Sequence, residues 1–346
     1  MKLDTDKVQN LDIGTPINVI DCHSNYKVDE QLLTSSTPVL LKGLVSHWPV
    51  VKAANHSNNK FIQYVKGLYS GVPIIAARGA PEINARIAYS DDLKELNCKA
   101  KRSTLDTLFD EILSAKNTTK KPVHYMGTTP VDFLLPGFTT ENTLDIGLRD
   151  AAVNMWIGNQ SCIPTHYDFP DNIACTVAGR RKFTLFPPDQ LKNLYVGPID
   201  FTPAGRAIGL EDIRNPDFER FPKLREAFKF AQVAELDAGD ALFIPSMWWH
   251  NVEALDDVNA LVNYWWCQSE AFVNSPEDLL ELAILCLRDL PKEQKESWKG
   301  ILDYYVFEHN DEQHAHIPEY ARGCLGPSTE LNARKLRAKL LSHLNR

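Results

Sequence analysis

The sequence lacks the marks of a secreted or membrane-spanning protein. No apolar run approaches the roughly 18 residues that cross a bilayer as a helix. The opening Met1-Lys2-Leu3-Asp4-Thr5-Asp6 has no apolar core of a secretory signal. The seven cysteines (Cys22, Cys98, Cys162, Cys175, Cys267, Cys286 and Cys324) are scattered, odd in number and form no Cys-x-x-Cys. That argues against a disulfide frame and predicts reduced thiols in a cytoplasmic protein. Repeats and low-complexity stretches are absent. So is any excess of positive charge: 37 Lys and Arg stand against 45 Asp and Glu, a net charge of -8. Phosphate contacts supply much of the affinity for nucleic acid, so nucleic acid is a disfavoured partner, and an anionic membrane surface likewise.

What is present is an ordinary globular composition. Of 346 residues, 44% are hydrophobic, 24% charged and 10% aromatic, enough for one large domain or a domain with an appendage. Residues 1–121 read as a mixed α/β segment packing on a barrel formed by the residues after it. Ile17–Ile20, Pro38–Leu41 and Val72–Ala77 are predicted strands. Lys60–Tyr69 and Ser103–Ala115 have helical spacing, the second with Ser103 as its N-cap. From 122 to 270 short β-rich runs alternate with Gly and Pro turns: Val123–Met126, Ala152–Ile157, Ile173–Val177, Lys182–Phe186, Ala241–Ile244 and Leu261–Trp266. Many short strands with turns between them predict a sandwich or barrel, interrupted by a more polar, partly helical insert at 198–231. Residues 271–346 read as a helical region: Pro276–Leu290, Lys292–Phe307 and Glu330–Leu344.

One constellation stands out for its chemistry. His166 and Asp168 are separated by one residue, so an extended chain points both to the same side. They come after a predicted strand and the turn predicted at 158–164. His250, after Ala241–Ile244 and Pro245-Ser246-Met247-Trp248-Trp249, can supply a third ligand from a distant strand. Two imidazoles and a carboxylate with open positions opposite form the facial triad of non-haem iron oxygenases. A lone His-x-Asp is a weak signal, and a second copy exists at His309-Asn310-Asp311, with His314 and His316 nearby. That copy lies in a polar stretch between predicted helices, where a solvated loop is the simpler expectation.

The surroundings of the first copy resemble a known family. His166-Tyr167-Asp168, Asn172, Gly179-Arg180-Arg181-Lys182-Phe183-Thr184-Leu185-Phe186-Pro187-Pro188, Asn215-Pro216-Asp217-Phe218, Gly239-Asp240-Ala241-Leu242-Phe243-Ile244-Pro245, Trp248-Trp249-His250 and Val262-Asn263-Tyr264-Trp265 are similar to the jumonji-C (JmjC)/cupin-type oxygenases. The nearest branch is that of the asparaginyl hydroxylase that inhibits hypoxia-inducible factor. Pro38–Leu44 and Trp48-Pro49 resemble the family's entry segment, so the likeness runs from about 35 to 267.

The resemblance implies a double-stranded β-helix (a cupin-like jelly roll) with α additions. It also implies Fe(II) held by His166, Asp168 and His250, 2-oxoglutarate and O2 as cosubstrates, and C–H hydroxylation. The basic residue for the distal carboxylate of the cosubstrate falls on Arg181, where the nearest relatives carry lysine. Lys182 is the fallback if the register slips by one. Tyr125 matches a tyrosine that reaches the same carboxylate, and Asn172 and Asn263 match asparagines beside cosubstrate and iron. Ile163 stands where relatives carry a hydroxyl residue. Relatives often dimerise through C-terminal helices, which implies a homodimer.

The expected activity is therefore that of a dioxygenase hydroxylating a protein side chain or a small molecule. The alternatives are a tRNA or nucleotide hydroxylase, and a non-oxygenase metal-binding cupin or pseudoenzyme. Histone demethylation is less expected, since it usually comes with chromatin-reading modules. Trp248, Trp249, Trp265 and Trp266 are candidate cavity walls, and specificity is expected in the segment around 78–100 and in the insert.

Overall fold

The computed structural model describes residues 14–22, 26–147, 149–203 and 205–345, with the side chain of Asp311 also outside the description. It divides into two units, Met1–Cys267 and Gln268–Arg346.

The first unit is a jelly roll. Eight strands form its two layers: β6 (Ala152–Gly158), β7 (Ser161–His166), β8 (Asp171–Ala178), β9 (Arg181–Phe186), β10 (Gln232–Leu236), β11 (Ala241–Ile244), β12 (Trp249–Ala254) and β13 (Asn259–Trp266). One layer has the order β11-β8-β13-β6 and the other β10-β9-β12-β7, so the chain passes back and forth between the two sheets. Strands from the N-terminal part extend the larger layer at both ends. β1 (Asn18–Asp21) and β2 (Val39–Lys42) add beside β11. β5 (Val123–Pro130), β3 (Ile74–Gly79) and β4 (Cys98–Ser103) add beside β6, giving nine strands.

Apolar side chains fill three levels. Ala174, Leu242, Ile244 and Leu261 of the larger sheet meet Phe183, Leu185 and Val252 of the smaller one inside the roll. The outer face of the larger sheet is covered by α1 (Pro49–His56), α2 (Asn58–Leu68) and α3 (Leu105–Ala115), through residues such as Trp48, Phe61 and Phe109. The outer face of the smaller sheet is covered by the insert, whose helix α4 (Leu224–Phe228) buries Leu224 and Phe228 against Phe186 and Trp249. Because both faces of the larger sheet are covered, all eight residues of β8 are buried, the polar Asp171, Asn172 and Thr176 among them, and its sequence shows no inside–outside alternation.

Three local expectations need correction. The predicted turn 158–164 contains strand β7. Pro164 suggests a break, but β7 lies at the edge of its sheet, where a missing N–H leaves no gap in the ladder. The run 241–250 is two strands in different sheets, β11 and β12, joined by a turn in which Trp248 N–H donates to the Pro245 carbonyl at 3.2 Å. Helix α3 is capped by Thr104, whose hydroxyl accepts from Thr107 N–H at 3.2 Å, whereas Ser103 ends β4 and accepts from Arg78. Strand β10, just after the predicted polar stretch, and β4 went unread: β10 has no clear apolar alternation, and β4 alternates only the small Cys98 and Ala100 with lysines.

The second unit is helical: α5 (Pro276–Leu287), α6 (Lys292–Leu302), a wider turn at Asp303–Phe307, and α7 (Glu330–Leu344). None of these three helices buries a residue fully. Leu285, Phe307 and Tyr320 are 75%, 70% and 92% exposed, a large amount of apolar surface for an isolated unit. Among the described residues, no helix is long and apolar enough to cross a membrane.

Candidate metal and cosubstrate site

His166 closes β7 and His250 is the second residue of β12, and the two are direct cross-strand partners. Their ring centroids are 4.4 Å apart. Asp168 lies two residues beyond the strand end, and its Oδ2 is 3.5 Å from His250 Nε2. The loop carrying it is tied down where Met247 N–H donates to the Asp168 carbonyl at 2.9 Å. Tyr167 turns the other way and packs edge-on against Trp249 at 4.9 Å, which directs the residues on either side of it inward. One ligand atom from each of His166, Asp168 and His250 lies within 4.8 Å of the others, the single such group among the described residues.

The backbone decides which ring nitrogen faces the site. His166 Nδ1 is 2.8 Å from the Pro164 carbonyl oxygen, and His250 Nδ1 is 2.9 Å from that of Trp248. A carbonyl only accepts, so each Nδ1 carries the proton and each Nε2 offers a lone pair. Burial, then the neighbouring His250, push the His166 imidazole down to about 4, so it is neutral near pH 7 as a ligand must be. Burial pushes the Asp168 carboxyl up, but His250 against it, with His166 and Arg206 nearby, outweighs burial and holds it below the usual carboxylate range. A deprotonated carboxylate and two imidazole lone pairs suit iron(II).

These groups line a cavity of about 300 Å³, which also receives Arg181, Tyr125, Asn172, Asn263, Trp156 and Trp265. Arg181 is 3% exposed, its Nε has no hydrogen-bond partner, and among the described residues it makes no ion pair. Burial pushes the guanidinium down to about 10, with Tyr125 opposing, so it stays charged near pH 7. Burial likewise pushes the Tyr125 phenol up, with Arg181 opposing. Tyr125 reaches the cavity because β5 and β6 approach closely: a Cβ on its partner Gly158 would sit 2.8 Å from the His124 carbonyl oxygen. The Asn172 Oδ1 is buried without a partner, whereas Asn263 Oδ1 accepts from Trp156 Nε1 at 3.2 Å.

Lys182 is not part of this cavity. It sits on the opposite face of β9, its Nζ 3.6 Å from Glu253 across the ladder to β12. The slipped register is thereby corrected, since strand alternation sends Arg181 in and Lys182 out. Of the four tryptophans expected as walls, only Trp265 lines the cavity. Trp248 packs inside the roll, while Trp249 and Trp266 pack on the outer faces of the two sheets. Trp156 was missed, because a tryptophan in a strand shows no sign of its facing before the register is known. Ile163 lines the cavity and brings no hydroxyl, and Thr165 is buried with its own hydroxyl unpartnered. Residues of both segments expected to set specificity complete the walls: Ile87, Leu96 and Cys98 from one, Pro203 and Ile208 from the insert. In the second unit, the rings of His309 and His314 stack 5.6 Å apart, and Tyr305 stacks on His314 at 5.7 Å. The Asp311 side chain of that second motif lies outside the described residues.

Residues 26–272 match the family model described as cupin-like domain. Lysine-specific demethylase 8 of Xenopus tropicalis is 27% identical over 271 residues, covering 74% of this chain and 54% of that protein. Lysine-specific demethylase JMJ31 of Arabidopsis thaliana is 37% identical over 131 residues, 37% of this chain and 23% of the relative. The tRNA wybutosine-synthesizing protein 5 of Gallus gallus is 31% identical over 164 residues, 43% and 46% of the two. The matched stretches span between about a quarter and about half the length of these relatives. A match over most of the chain joins the two-layered roll and its buried His-Asp-His group, and on these grounds the chain belongs to the cupin-like domain family, with a domain of the JmjC/cupin kind.

Proposed function

We propose that the protein is an iron(II)- and 2-oxoglutarate-dependent dioxygenase that hydroxylates a C–H bond of a protein side chain or a small molecule. The observation that carries this is one cavity holding both a 2-His-1-carboxylate group and a buried arginine that has no counter-ion among the described residues. In this proposal His166, Asp168 and His250 hold the metal. Arg181 grips the distal carboxylate of 2-oxoglutarate with parallel hydrogen bonds, the role a lysine would fill with a single charge. Tyr125 donates to the same carboxylate, and Asn172 and Asn263 flank the cosubstrate, the latter held in orientation by Trp156. When bound, iron(II) would couple O2, the oxidant, to the oxidative decarboxylation of 2-oxoglutarate, one oxygen atom going to succinate and the other into a C–H bond. The chain's apolar walls, including Ile163, Ile208 and Trp265, keep water away while substrate is positioned.

Placement beside the asparaginyl hydroxylase rests on the motif likeness set out from the sequence. The relatives named as lysine-specific demethylases extend the candidate protein side chains to methylated lysine, whose demethylation also begins with C–H hydroxylation. A second reading, hydroxylation of a tRNA nucleotide, draws on the similarity to the wybutosine-synthesizing relative, and the net charge of -8 weighs against it. The deciding experiment tracks succinate formation. Slow turnover that needs both Fe(II) and 2-oxoglutarate, and that vanishes in His166→Ala, is expected even without the prime substrate. Absence of metal-dependent 2-oxoglutarate binding in the wild-type protein would return it to the non-oxygenase cupins.

The helical unit is proposed to pair with its counterpart in a second copy, on the strength of the exposed Leu285, Phe307, Leu341 and Leu344. Sedimentation equilibrium should then return twice the chain mass, and Leu285→Arg with Leu341→Arg should give monomers. A wild-type monomer at micromolar concentration would remove the dimer.

A further inference from the structure

Strand β4 ends the nine-stranded sheet, and among the described residues its only strand partner is β3. Its outer edge therefore presents unpaired N–H and C=O groups. Exposed lysines are one common device that keeps such an edge from pairing with another chain, and Lys99 and Lys101 would serve that purpose. Protection alone does not explain where the edge lies. Cross-strand partners share a face, so Ile75 goes with Arg102, Ala77 with Ala100 and Gly79 with Cys98. Ile75, Ala77, Cys98 and Ala100 all line the metal-bearing cavity. Ile75, 60% exposed, is an apolar residue left open at its mouth. Lys99 and Lys101 stand on the other face, and with Arg102 they are exposed and make no ion pair among the described residues. The acids close by are engaged elsewhere: Asp92 with Lys94, Asp106 with Lys66, Glu111 with Arg78. In a chain of net charge -8, this is a local reversal of sign on an open backbone edge.

We propose that β4 is the docking strand for a protein substrate: an extended acidic segment adds beside it as a further strand of the sheet. Main-chain hydrogen bonds hold the segment, and alternate side chains read it. Acidic residues fall opposite Lys99 and Lys101. The intervening residues fall beside Cys98, Ala100 and Arg102, and those next to Cys98 and Ala100 are apolar, with Ala77 and Ile75 one strand further in. The residue to be modified belongs to this second set, because only that set points into the cavity. A nucleic acid would use the charges but not the directional amide edge. The proposal rests on the oxygenase reading for the chemistry after docking; the docking itself does not.

The test is fluorescence anisotropy on the metal-free full chain, with a labelled peptide of alternating Glu and Val of about ten residues. It should bind, and a Lys-Val peptide should not. Lys99→Glu with Lys101→Glu, both exposed and so harmless to folding, should weaken binding roughly tenfold. N-methylation of alternate residues should abolish binding in one phase and spare it in the other, because only every second amide of an added strand faces the sheet. No binding, indifference to the charge reversal, equal effects of the two methylation phases, or tighter binding of a single-stranded RNA of equal charge would each overturn the proposal. Succinate formation by the same samples reloaded with Fe(II) reports separately on the oxygenase reading.

Discussion

Replacing Asp168 by alanine is expected to abolish metal binding and with it all 2-oxoglutarate turnover, while the fold survives. The carboxylate is the only anion of the group, so its loss leaves two neutral imidazoles facing a dication. Losing a residue that merely orients a ligand typically lowers metal affinity about 10–100-fold, so losing the ligand itself should exceed 100-fold. Structural damage should be slight. Asp168 keeps 18% of its side chain exposed, and its Oδ2 lies 3.5 Å from His250 Nε2. The His166 and His250 rings stay anchored through Nδ1 to backbone carbonyls whether or not the carboxylate is present. Anaerobic titration calorimetry with Mn(II), together with a thermal melt, separates the two effects. Unchanged affinity in Asp168→Ala would place the metal elsewhere.

The second large effect concerns Arg181. A guanidinium at 3% exposure without a counter-ion carries a desolvation penalty of several kcal/mol. Arg181→Met removes that burden and keeps the volume, so the ligand-free protein should gain about 1–3 kcal/mol of stability. The same change removes the proposed partner of the cosubstrate carboxylate. Losing one half of a buried hydrogen-bonded charge pair is worth about 2–5 kcal/mol, so the KM for 2-oxoglutarate should rise roughly 30-fold or more. Arg181→Lys should fall between, since the charge remains but the paired hydrogen bonds do not. Rising stability with failing cosubstrate binding is a signature that a structural arginine cannot produce. A destabilised Arg181→Met with a normal KM would show that the residue serves packing alone.

The two changes test different halves of one cavity, and those halves differed in how they could be read. The metal half was legible along the chain. His166 and Asp168 sit at a strand end with an outward Tyr167 between them, and a two-residue period suffices to bring them together. His250 comes after a strong turn, and the decoy at His309 lacked any β-rich context. The cosubstrate half was less legible. Arg180, Arg181 and Lys182 are three basic residues in a row, and only pairing of β9 with both β10 and β12 decides that the middle one faces inward. The cavity walls were not legible as individuals. Ile87, Ile208 and Trp156 carry no local sign of their role, because they are brought together from segments far apart in the chain.

By itself the sequence determined the division into a β-rich core and a helical end, the candidate His-Asp-His group and the order of its surrounding anchors. Those properties arise from local periodicity and from residue chemistry at short spacing. Only the tertiary structure decided that a proline-bearing segment forms β7, that β11 and β12 belong to opposite sheets, and that Arg181 enters the cavity while Lys182 pairs with Glu253 outside it. The physical reason is the same in each case. A jelly roll buries both faces of its main sheet, so hydrophobicity ceases to mark inside from outside, and long-range pairing makes the choice instead.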